Sequence, residues 1–87
     1  MEELEQTVQR GKEARQILVS PVFVDAQQTL KDKYLKELLG SKTPAEREEL
    51  FFKIKVLGDV ITEIGIVEQR GVKAEHDIKT RKRRATQ

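Results

Sequence analysis

"LFFKIKVLGDVITEIGIVEQRG", residues 50–71, decides how this chain is read. Leu50, Leu57 and Ile64 recur every seven residues with Ile54 and Ile61 between them, which is the seam of a helix built to lie along another helix. Phe51, Gly58, Gly65 and Val72 form the neighbouring column, and Val60, Val67 and Ala74 flank the seam on its other side. Each glycine costs a helix roughly 1 kcal/mol relative to alanine. The heptad spacing of Gly58 and Gly65 therefore predicts a place where an absent side chain lets a second helix or a bulky residue come close. Gly71 continues the Leu50 column. With Glu68 and Glu75 at the alternating positions, it is expected to mark the point where the seam loosens.

Working outward, the helix breakers fall at few positions. Upstream, "GSKTP" at 40–44 reads as the main turn: Gly40 suits a left-handed residue after a helix end, and "TPAE" supplies a capping box from Thr43 to Glu46. No proline follows Pro44, so a helix is expected from 44 to about 79. Ser20-Pro21 reads as an N-cap followed by proline at the first helical position, separating helices over about 2–19 and 21–39. In the second of these Phe23, Ala26, Leu30, Tyr34 and Leu38 form an apolar stripe, widened by Val22, Leu35 and Leu39. The first carries Leu4, Val8, Ala14, Ile17 and Leu18, a stripe weakened by Gly11.

The expected fold is all-α. The first two helices together match the third in length, so the chain can form an antiparallel helical hairpin kinked at Pro21, with coiled-coil-like packing, or a three-helix bundle if the first helix folds back. Either way the apolar face of the third helix is broader than a two-stranded seam requires. The surplus is expected to be covered either by the first helix or by a second copy or another protein. The interface residues on this reading are Leu50, Phe51, Ile54, Leu57, Gly58, Ile61, Ile64 and Gly65.

Composition narrows the chemistry. At 87 residues this is one small domain, 1–78, followed by a basic tail, 79–87. Chains of this size bury a modest fraction of their surface, which makes self-association a natural source of stability. There is no cysteine for a disulfide, a thiolate metal site or a nucleophile. No apolar run approaches the ~20 residues of a membrane span, and "MEELEQ" is acidic where a signal peptide is basic, so a soluble cytoplasmic protein is expected.

His76, the sole histidine, sits in "AEHDI" between groups that point in different directions on a helix, so no metal or acid–base cluster converges there. The acids of "EREEL" complement the start of a helix dipole. Neither a phosphate loop nor a dinucleotide fingerprint is present. The expectation is a non-enzymatic protein with no cofactor and no small-molecule substrate.

Charge is segregated. Lys79, Arg81, Lys82, Arg83 and Arg84 crowd "KTRKRRATQ"; without those five, the whole-chain charge of +2 becomes about −3 for residues 1–78. Such a block can be solvated, neutralised by Glu2, Glu3 and Glu5 across the hairpin, docked on an acidic protein surface, or set against phosphates. Phosphate binding would be sequence-independent and steeply salt-sensitive, and the lack of an aromatic residue in the block removes base stacking.

On Ala14, Arg15, Leu18, Pro21, Phe23, Ala26 and Leu30, then Arg47, Glu48, Leu50, Lys55, Leu57 and Gly71, the chain resembles small helical-hairpin proteins of tailed bacteriophages and prophages. The resemblance covers about residues 12–72 and omits the basic tail. It implies a phage origin and a place in head assembly or packaging, and carries over no functional residue. Two further roles fit the residues: an accessory or regulator that holds nucleic acid through its tail, and a small inhibitor that presents a helix face to a host enzyme.

Overall fold

The computed structural model describes residues 2–86. Three helices follow one another: α1, Glu2–Val19; α2, Pro21–Leu39; and α3, Pro44–Thr86. The molecule is all-α and elongated, 67 × 24 × 16 Å. At 1.5 Å per residue, the 43 residues of α3 account for nearly the whole of the long axis. α1 and α2 run back along it, so the chain is a hairpin kinked between them.

Only Ser20 separates α1 from α2. It is the N-cap of α2, as expected, in an extended conformation (φ −63°, ψ 126°), although its hydroxyl makes no capping bond. The backbone bridges the step instead: Ser20 N–H donates to the Ile17 carbonyl at 3.1 Å, and Val24 N–H donates to the Ser20 carbonyl at 2.9 Å. Proline at the first position of α2 needs no N–H partner, so the kink leaves few backbone groups unpaired.

The 40–43 turn forms at the expected place with different local geometry. Gly40 stays in the right-handed region (φ −91°, ψ 0°) and donates to the Lys36 carbonyl at 3.1 Å, so no left-handed residue is needed. Ser41 takes up the next orphan carbonyl, its N–H donating to Leu38 O at 3.2 Å and its hydroxyl at 2.7 Å. At the start of α3, Glu46 N–H donates to Thr43 Oγ1 at 3.2 Å. The Glu46 carboxylate reaches back to accept from Lys42 N–H at 2.9 Å, one residue beyond the usual reciprocal partner.

α3 continues through the basic block to Thr86, beyond the end expected near 79. The block is thus the last turns of a helix rather than a separate tail, and its cations lie where they complement the helix dipole. Met1 and Gln87, the outermost residues of the two expected segments, lie outside the described residues.

The core is thin. Among the apolar side chains of the described residues only Ala14, Leu50 and Ala74 are buried, and Gly11 and Gly71 are buried with them. Four of these five are glycine or alanine. The backbone of α1 approaches α3 closely far more often than that of α2 does, because small residues fill the α1–α3 seam. Phe23, Leu30, Tyr34 and Leu38 of α2 are half-buried, as are Ile54, Leu57 and Ile61 of α3.

Candidate protein-interaction surface

Where α1 meets α3, glycine faces glycine. A Cβ placed on Gly11 would lie 2.7 Å from Gly71 Cα and 3.3 Å from the Glu68 carbonyl; one placed on Gly71 would lie 2.7 Å from Gly11 Cα and 3.2 Å from the Thr7 carbonyl. Two backbones meet here with no side chain between them. Gly71 is therefore where the seam is tightest, and Gly11 is the centre of the α1 stripe, which reverses the expectation for both. Glu68, expected to weaken the seam, is kept at its edge by Arg15 of α1, whose guanidinium donates to the carboxylate at 3.2 Å. The Glu68 side chain is 19% exposed, so this pair is better shielded than the intrahelical Lys53–Glu49 and Lys79–Glu75 pairs at 3.6 and 3.9 Å.

Gly58 and Gly65 behave in the opposite way. Beyond the surrounding helix backbone and the adjoining residues, neither has a heavy atom within 4 Å of the position a Cβ would take. Gly58 is exposed and Gly65 half-exposed, so no other helix of the same chain closes on this column. Of the expected interface residues, Leu50 is buried and Ile54, Leu57, Ile61 and Ile64 are half-buried in the intrachain seam. Phe51 is 58% exposed at one end of the glycine column, and Val72 is 57% exposed at the other. Next to Gly65 a shallow groove is lined by Thr62, Ile66, Gln69, Arg70 and Lys73.

Further apolar side chains are left outside the hairpin. On α3, Phe52 is 67% exposed, with Val56 and Val60 also in solvent; on α2, Val22, Leu35 and Leu39 are exposed, as is Ile17 of α1. Phe52 and Val56 carry a sequence signal that passes unused when only the heptad is followed: they are large apolar residues off the seam. The surplus foreseen on α3 is thus covered in part, by α1 toward the C-terminal end and by α2 along the seam, and its flanks stay open.

Lys79, Arg81, Lys82, Arg83 and Arg84 are exposed on the last turns of α3. His76 is exposed on the same helix. Among the described residues no group of three or more His, Cys, Asp or Glu side chains is placed to hold a metal ion, and no helix is long and apolar enough to cross a membrane. Comparison with protein-family models, with curated proteins and with solved structures returns no match.

Proposed function

We propose that this chain is a non-enzymatic assembly protein that acts through its exposed helix faces, in the setting its sequence resemblance implies: head assembly or packaging in a tailed phage. The observation that carries the reading is the imbalance between a core of Ala14, Leu50 and Ala74 and an outside bearing Phe51, Phe52, Val56 and Val60 on one helix. Large apolar side chains kept in solvent favour a partner that covers them. The test is Phe51→Asp combined with Phe52→Asp in the phage that encodes the chain. Both side chains are mostly exposed, so the fold should survive with an unchanged circular-dichroism melt while the yield of filled particles falls. Normal particle yield with a folded double variant would reject the role.

A second reading has its own support in the exposed basic end of α3. As a nucleic-acid accessory the chain would bind DNA or RNA with an affinity that collapses as salt is raised. Deleting residues 79–87 should abolish that binding; binding that survives the deletion rejects the basic end as the contact.

A further inference from the structure

The basic end of α3 has a geometry that narrows its ligand. Arg81, Lys82, Arg83 and Arg84 are consecutive on the helix, and all four are exposed. At about 3.6 residues per turn, four consecutive residues complete a turn, so a cation projects to every side of the helix.

The neighbouring acids lie below this turn. Gly11 meets Gly71 where α1 and α3 run antiparallel. Glu2 comes nine residues before Gly11 and Thr80 nine after Gly71, which sets Glu2, Glu3 and Glu5 of α1 level with residues 77–80. On α3 itself Glu75 holds Lys79 at 3.9 Å, and Asp77 stands one turn before Arg81. Asp77, Ile78 and Thr80 are half-buried, whereas residues 81–85 are exposed.

We infer that this end of α3 lies in the major groove of duplex DNA and is held there by phosphates of both strands. This rests on the nucleic-acid reading above and names the form of nucleic acid.

The other occupants of a basic helix end ask for features this one lacks. Single strands are held by stacking bases on aromatic side chains, and a lipid surface needs an apolar face beside the cations. Residues 79–87 contain neither an aromatic nor a large apolar residue. A flat acidic protein surface meets one side of a helix and leaves the cations of the other side in water. The major groove of B-form DNA, about 12 Å wide, admits a helix about 10–12 Å across and sets a phosphate strand on either side of it. The major groove of an RNA duplex is too narrow for this.

Fluorescence anisotropy of the full chain tests this with a labelled DNA duplex of about 20 base pairs. One of its strands alone, the RNA duplex of the same sequence and polyglutamate serve as comparisons. The DNA duplex should bind at least about 10-fold more tightly than each of these at about 50 mM salt. Contact with four phosphates predicts a loss of about 100-fold in affinity between about 50 and 200 mM salt. Arg81→Gln, Lys82→Gln, Arg83→Gln and Arg84→Gln keep a good helix former at exposed positions, and each should reduce the salt slope by about 0.9.

A slope left unchanged by any of the four would mean a one-sided contact and overturn the inference. Equal or tighter binding of the single strand or the RNA duplex would overturn it and leave the nucleic-acid reading standing. Polyglutamate bound as tightly as the DNA duplex would also overturn it, in favour of an acidic protein partner. No binding to any nucleic acid at low salt would defeat both the inference and the reading it rests on.

Discussion

The two ends of α3 carry one heptad seam and solve it differently. Toward the C-terminus the seam column places Gly71 against Gly11, with Ala14 and Ala74 buried beside them. Toward the turn the same column holds Leu50, buried, and Leu57, half-buried, on the helix that α2 also packs against. Small residues bring backbones together and leave little apolar surface over. Large ones hold the helices apart, and their neighbours Phe51, Phe52 and Val56 stay in water. A glycine in a helix can therefore mark either the tightest contact in a molecule or an open face, and heptad column alone does not say which.

Breaking the tight end should have the largest effect. Gly71→Leu drives a branched side chain into the Gly11 backbone, which is 2.7 Å from where even a Cβ would sit. Overpacking of this kind costs about 3 kcal/mol or more. Urea unfolding should show α1 released from α3, with helical signal lost in proportion.

At the turn end, Leu50→Ala removes the one large buried side chain among the described residues. The loss should be about 2 kcal/mol, near the low end for leucine because α2 packs loosely there. It should appear as a lower urea midpoint with a similar slope.

Thr43→Ala tests the start of α3 by removing the acceptor for Glu46 N–H. It should cost about 1 kcal/mol, read as a drop in melting temperature. The smallest effect is expected from Arg15→Ala. Its guanidinium is on the exposed side of the α1–α3 ion pair, with the side chain 68% in solvent, so the loss should stay below about 1 kcal/mol and shrink further in high salt.

The features legible in the sequence are local ones. Pro21, Pro44 and the Gly40–Thr43 turn divide the helices within a residue of where the structure has them, because proline geometry and capping depend on near neighbours alone. Periodicity likewise reports a face: Leu50 is buried and Ile54, Leu57, Ile61 and Ile64 are half-buried. The pairing of Gly11 with Gly71 depends on register between helices that are far apart in sequence. A signal existed, since the two lie nearly equidistant from the turn, but α1 had first to be known to fold back along α3. The end of α3 was misplaced for a different reason. A run of like charges looks like a solvated tail, yet cations stabilise the last turns of a helix by offsetting its dipole.

The most direct test compares one substitution at two glycines six positions apart on the same helix. Gly65→Ala and Gly71→Ala are unfolded in urea at protein concentrations low enough to keep the chain monomeric. At Gly65 the added methyl meets open space, so stability should rise by up to about 1 kcal/mol through helix propensity. At Gly71 the methyl meets the Gly11 backbone, and stability should fall by about 1–2 kcal/mol, the overpacking cost outweighing the same propensity gain. Opposite signs are the predicted result; a gain at both positions would contradict the glycine-on-glycine contact, and a loss at both would contradict the open face.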